Sequence, residues 1–407
     1  MTRLISYYGD DFTGSTDVME ALSTHGVQTV LFTRIPTAVE FAPFADHEAI
    51  GLAGSSRSQT PEWMDANLPA AFEWLKSLQA RFCHYKVCST FDSSPMVGSI
   101  GRATEIGLLA FAQKRVNLIV GCPQIKRYTF AGNLFAAYQD KTYRIDRHPV
   151  MSVHPVTPMD ESDVLRHLAR QTAAQVELLD VHDAATQRAA GEVLLNLPPE
   201  SLPFVVGSSG VEYALMEMME RQRGAEFDPV LPIDRMLVIS GSVSPTTARQ
   251  IDYAKARGFE TIAADAMALA RGEIEAFIAQ ARAMLSQGKS PLIYSASGPS
   301  SDQGNALQSI PHGRELLSKS LGQIARRLIA KFKLRRLVIA GGDTSSHALG
   351  ELDIHALTTR FPLVETPGSP LCFAHSANSN FNGLEIAAKG GQVGGDSYFV
   401  ELKEGLA

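Results

Sequence analysis

Short apolar runs alternate with longer amphipathic stretches along almost the whole chain, and few architectures tolerate that rhythm. Strand candidates in the first half are Leu4–Tyr8, Val27–Phe32, Ala49–Ala53, Phe82–Val87, Asn117–Val120, Val176–Leu179 and Phe204–Val206. Helical patterns lie between several of them. Ser15–Thr24 is one, stopped by Gly26, and Gly101–Lys114 is another. Pro61–Arg81 spaces Trp63, Leu68, Phe72, Leu75 and Leu78 for a single face, which marks core packing. Strand–helix alternation of this kind predicts an α/β fold with a largely parallel sheet flanked by helices.

Two prolines interrupt the pattern at Phe227-Asp228-Pro229-Val230-Leu231-Pro232, and a new strand starts at Met236–Ser240. The expected boundary falls there, giving domains at residues 1–229 and 230–407 with an active site in the cleft between them. With 407 residues, two domains are ordinary. The second half then reads as a helix from Thr246, strand Glu260–Ala263, helix Gly272–Gln287, strand Pro291–Ser295, helix Gly313–Phe332 and strand Arg336–Ala340. A last helix is expected near Gly383–Lys389.

Charge and cysteine content narrow the function. A net charge of −6 without a basic run argues against a nucleic-acid partner. No stretch approaches the ~20 apolar residues of a membrane span, so no membrane partner is expected. Cys83, Cys88, Cys122 and Cys372 form no Cys-x-x-Cys pair, which fits a reducing cytoplasm and no zinc site. Met1-Thr2-Arg3 leads directly into a strand without the apolar stretch of a signal peptide. His148-Pro149 and His154-Pro155 repeat at a spacing that suits no helical metal pair, and read as loop histidines near the substrate.

In open α/β sheets ligands bind beyond the carboxyl ends of the strands. Here those ends are rich in Gly, Ser, Thr and Asp. Gly341-Gly342-Asp343-Thr344-Ser345 and Ser240-Gly241-Ser242-Val243-Ser244-Pro245 each join a strand to a helix, and Lys389-Gly390-Gly391 begins a third glycine-rich segment. Any one of them is explained by helix caps and stops. Three in one domain point to a phosphate cradle, since glycine admits close approach and helix N-termini offer unpaired N–H groups. The P-loop fingerprint is missing; Gly288-Lys289-Ser290 has Ala283 where the first glycine should be. G-x-G-x-x-G is also absent, which disfavours a nicotinamide-dependent sugar-acid oxidoreductase.

The first half offers Gly9-Asp10-Asp11 at a helix start, where one carboxylate caps the helix and the other faces ligand. A ligand-facing carboxylate can accept a hydroxyl's proton, which makes Asp10 and Asp11 the catalytic candidates. Arg57 and Lys86 stand ready to pair with a substrate carboxylate, and Ser89, Thr90 and Asp92 add short polar groups.

Tyr8-Gly9-Asp10-Asp11-Phe12-Thr13-Gly14-Ser15 resembles the N-terminal signature of the four-carbon acid sugar kinase family. Lys86-Val87-Cys88-Ser89-Thr90-Phe91-Asp92-Ser93 is similar to a segment of its 3-oxo-tetronate kinase branch, and the three loops of the second half resemble its nucleotide motifs. The likeness spans essentially the whole chain. It implies an ATP- and Mg²⁺-dependent kinase acting on a 3-oxo-tetronate, threonate, erythronate or branched 3-oxo-isoapionate. Asp10, Arg57, Lys86, Ser89, Thr90 and Asp92 would be substrate-side. Ser240, Ser242, Gly341, Gly342, Asp343, Thr344 and Gly391 would be ATP-side, with metal ligands unassigned. Asp343 replaces the glutamate of the nearest branch, and Lys389-Gly390-Gly391-Gln392-Val393-Gly394 departs from its K-S-G-N-F-G. The expected partners are therefore the sugar acid and ATP, with a homodimer left open. The rival reading is a non-catalytic two-domain sugar-acid sensor, for which three phosphate loops would be superfluous.

Overall fold

The structure is a computed structural model that describes residues 3–154, 156–221, 224–363 and 366–406. The chain divides into two compact units between Ala225 and Glu226. Each is built on its own largely parallel sheet.

The first unit contains β1 (Ile5–Gly9), β2 (Thr29–Phe32), β3 (Ala49–Ala53), β4 (Phe82–Lys86), β5 (Arg115–Ile119), β6 (Arg127–Phe130), β7 (Asn133–Tyr138), β8 (Lys141–Arg144), β9 (Gln175–Leu178) and β10 (Phe204–Gly207). Seven of these form a parallel sheet in the order β2-β3-β1-β4-β10-β5-β9. Its central strands are buried on both faces, as parallel strands covered by helices must be. Tyr8, Phe72, Tyr85 and Phe204 make edge-on and stacked contacts that seat the helix Pro61–Ser77 on the sheet. The remaining three strands make a small antiparallel sheet, β6-β7-β8, which the sequence pattern did not reveal.

The second unit contains β11 (Leu237–Ser240), β12 (Phe259–Ala263), β13 (Ser290–Tyr294), β14 (Arg336–Ala340), β15 (Ile354–Phe361), β16 (Leu371–Ser376) and β17 (Glu385–Lys389). The order β12-β13-β11-β14-β17 is parallel, and β16 and β15 continue it antiparallel. The segment expected to be a helix near Gly383–Lys389 is thus strand β17. Its Glu, Ala and Lys are good helix formers, but pairing on both edges outweighs that preference. Arg336 is buried beneath this sheet, where its Nε and Nη2 donate to Glu385 at 2.8 and 2.5 Å. Arg360 reaches the same carboxylate at 3.4 Å, so one buried anion is shared by two guanidiniums.

Register decides where chemistry can gather. Gly9 is level with Ala53 and Lys86 in the first unit, so the loops after β1, β3 and β4 leave the sheet side by side. In the second, Ser240 is level with Tyr294 and Ala340, and Ala340 with Lys389. In both units the first strand lies between the third and the fourth, which is the position of a topological switch point. Among the described residues no helix is long and apolar enough to cross a membrane.

Candidate active site

In the first unit the three level loops bring every expected substrate-side residue of that half together. Asp11 caps the helix Phe12–Ser23, its Oδ1 accepting from the Gly14 amide. Its Oδ2 meets Arg57 Nη1 at 2.7 Å. Arg57 Nη2 reaches Asp92 at 2.9 and 3.1 Å. Both terminal nitrogens of Arg57 are therefore turned on the protein's own carboxylates. Asp92 is further held by Thr90 Oγ1 at 2.5 Å and Thr157 Oγ1 at 3.1 Å. Ser89 is buried beside them in sequence. Lys86 is buried at the end of β4 with Nζ 3.5 Å from Asp17. Burial alone would push its ammonium down, but Asp17 first, then Asp10, hold it above its ordinary value.

Asp10 differs from its neighbour. Its backbone is fixed, the amide donating to Lys86 O at 2.9 Å and the carbonyl accepting from Arg57 N at 3.0 Å. Its side chain is buried and Oδ1 has no hydrogen-bond partner. Burial, then the Asp11 charge, push its carboxyl up to about 7 against the pull of Arg57 and Lys86. Asp11 moves the other way: burial works against its charge, and Arg57, Lys86 and the Gly14 amide overcome it. Two adjacent carboxyls with opposed shifts give one fixed anion and one group poised to exchange a proton near neutrality.

The second unit gathers the three glycine-bearing loops. Gly341 has φ +118°, a conformation that side chains resist, and it lets the chain turn from β14 into the helix Gly342–Gly350. Thr344 on that helix is buried against Gly241, where an added Cβ would lie 2.2 Å from the threonine hydroxyl. Ser240 Oγ accepts from the Ser242 amide at 3.3 Å, and Ser242 Oγ donates to Thr247 Oγ1 at 3.0 Å. Thr247 donates in turn to Gly391 O at 2.9 Å. Gly391 has room only for hydrogen: its Cβ would stand 2.8 Å from Ser242 Oγ. The side chain of Asp343 lies outside the described structure. Beside these loops a pocket is lined by Gly241, Ser295, Ala296, Arg314, Leu317 and Thr344.

Sequence reasoning missed Asp17, Thr157, Thr247 and Gln250. Gln250 Nε2 donates to three successive carbonyls, Val393, Gly394 and Gly395, at 3.0, 3.1 and 2.9 Å. Asp17 carried only a weak signal, as an acid in the helix that directly follows the Asp10-Asp11 loop. Thr157 and Gln250 carried none, because their partners are remote in sequence.

Comparison with known proteins finds two family models along the chain. Residues 5–197 match the model of a sugar-binding N-terminal domain, and residues 237–399 that of a nucleotide-binding C-terminal domain. The chain is 40% identical to the 3-oxo-isoapionate kinase of Paraburkholderia graminis, over 99% of this chain and 94% of that one. It is 30% identical to the 3-oxo-tetronate kinase of Cupriavidus necator, over 98% and 96% of the two chains. A Haemophilus influenzae crystal structure shares the fold with a TM-score of 0.70 at 22% identity, covering 98% of this chain and 99% of that one. The chain belongs to the four-carbon acid sugar kinase family and is accordingly a kinase, a transferase with an alcohol group as acceptor.

Proposed function

We propose that this kinase transfers the γ-phosphoryl group of ATP to a hydroxyl of a short 3-oxo sugar acid, with the branched 3-oxo-isoapionate as the first substrate to test. The reading is carried by one observation, the buried Asp10 carboxylate with an unpartnered Oδ1 beside two cations. Asp10 takes the proton of the substrate hydroxyl as its oxygen attacks the γ-phosphorus. The bond to the β,γ-bridging oxygen breaks and ADP leaves. Asp11 and Asp92 hold Arg57 in place. Lys86, Ser89, Thr90 and the accessible edge of Arg57 receive the acid's carboxylate and hydroxyls.

ATP lies along Ser240, Ser242, Gly341–Thr344 and Gly391, with the adjoining pocket for its nucleoside. Backbone amides at the start of the helix Gly342–Gly350 suit the phosphates. Mg²⁺ enters with ATP as part of the substrate. The higher identity to the isoapionate-acting relative supports the branched substrate over the unbranched one.

The test is release of ADP by the purified full chain with MgATP and a panel of 3-oxo-isoapionate, 3-oxo-tetronates, threonate and erythronate. The expected result is the highest kcat/KM with 3-oxo-isoapionate. Folded protein that releases no ADP with any member overturns the reading.

A further inference from the structure

Lys389 closes β17 and is completely buried. Its Nζ donates to Thr247 Oγ1 at 3.1 Å and to Gly390 O at 3.0 Å, both uncharged. Among the described residues no carboxylate forms an ion pair with it. A buried ammonium without a counter-ion is costly, and proteins seldom keep one without use.

The position of this lysine is informative. Its carbonyl accepts from Gly341 N at 2.9 Å, and its acceptor Thr247 joins Ser242 to Gly391. Lys389 thus begins one of the three loops proposed for the phosphates, bonds the second directly at Gly341 and reaches the third through Thr247. Few other groups near it can titrate or carry charge. The helix Pro245–Ala256 presents Thr247, and the helix Tyr398–Glu404 presents the Tyr398 ring, 5.9 Å from Nζ. Ala340 of β14 is its register partner. Arg249 and Asp396 pair with each other at 3.0 Å, and Arg336, Arg360 and Glu385 form their own cluster at the far end of β14 and β17. The side chain of Asp343 on the helix Gly342–Gly350 is not described.

The geometry points to Lys389 as the internal counter-charge of the nucleotide's phosphates, so that nucleotide binding is coupled to uptake of a proton by this lysine. The inference rests on the placement of ATP proposed above. The ammonium does not touch the phosphates; it acts through the low dielectric of the junction, where Coulomb interactions are weakly screened. Burial lowers its pKa to about 7, so at pH 8 the nucleotide-free protein holds it mostly neutral. An arriving polyanion favours the charged form, and the proton comes from solvent.

The experiment is calorimetric titration of the full chain with MgADP at pH 8, where the nucleotide is already ionised, in two buffers of different ionisation enthalpy. Uptake approaching one proton per site is expected. Affinity should tighten about fivefold between pH 8 and pH 7, as follows from a group titrating near 7. Lys389→Met and the permanently charged Lys389→Arg should take up none. Binding without proton uptake by the unaltered protein overturns the inference and leaves the nucleotide site standing, and so does uptake that persists in Lys389→Met. Absence of any MgADP binding overturns the nucleotide site and this inference with it.

Discussion

Asp10 and Asp11 adjoin in sequence, yet only Asp11 reaches Arg57, at 2.7 Å, while Asp10 Oδ1 is buried without a hydrogen-bond partner. The reason is the start of the helix Phe12–Ser23. A cap residue must turn its oxygen toward the first free amides, and Asp11 does so at Gly14. Asp10 precedes the cap and is directed elsewhere by the strand.

The pH dependence of the reaction follows. A base is active when deprotonated, so kcat/KM should rise with pH through an inflection near 7, the value to which burial and Asp11 push Asp10. Asp10→Asn should lower kcat by about 10²–10⁴-fold, with little change in nucleotide affinity. Steady-state rates from pH 5.5 to 8.5 check this. A flat profile over that range removes Asp10 from the role of base.

The same substitution should stabilise the fold. The folded state holds a proton that the unfolded chain releases between about pH 4 and pH 7, so ionising Asp10 costs stability as pH rises through that window. Asp10→Asn removes the cost, by about 1–3 kcal/mol at pH 8 and nothing at pH 3.5. Urea unfolding at the two pH values measures the difference. Equal effects at both would contradict the linkage.

Arg57 is a strut as much as a contact. Arg57→Ala leaves Asp11 and Asp92 facing each other without compensation, which should destabilise the protein by about 1–3 kcal/mol, less than for a fully buried pair because the side chain is partly exposed. kcat/KM for the sugar acid should fall by at least ~100-fold, since the site's carboxylates lose their common anchor. In the double variant Arg57→Ala/Asp92→Asn, stability should recover in part and activity should not. Recovery of both would show that only charge balance matters there.

Gly341→Ala tests the second unit. The residue would need φ +118° and would place a Cβ 3.0 Å from Thr344 Oγ1, a strain of about 1–3 kcal/mol. The loop should shift, weakening nucleotide binding by ~10-fold or more while KM for the sugar acid stays within about twofold. Unaltered MgADP affinity in a folded variant would argue that this loop does not meet the phosphates.

Much of the architecture was legible because burial on both sheet faces leaves unbroken apolar runs, such as Ile239 and its neighbours or Leu337 to Ala340. The loops after them declared themselves through Asp10, Ser240 and Gly341. Less visible was anything depending on partners far apart. The Arg57–Asp92 pairing joins residues 35 positions apart, and nothing local predicts that an arginine expected to face substrate is bound on both nitrogens by the protein. Strand β17 was hidden by its own helix-forming composition. Lys389 was hidden by the glycines after it, which drew attention to backbone shape and away from the charge.

Gln250 gives a last consequence. Three carbonyls of a segment rich in glycine are all gripped by one amide from a neighbouring helix. Composition alone would make that stretch slack, ordering only when a partner arrived, with the entropic penalty deducted from affinity. Fastened from behind, it is set during folding instead. The enzyme can thus use the steric openness of glycine without the floppiness that usually accompanies it.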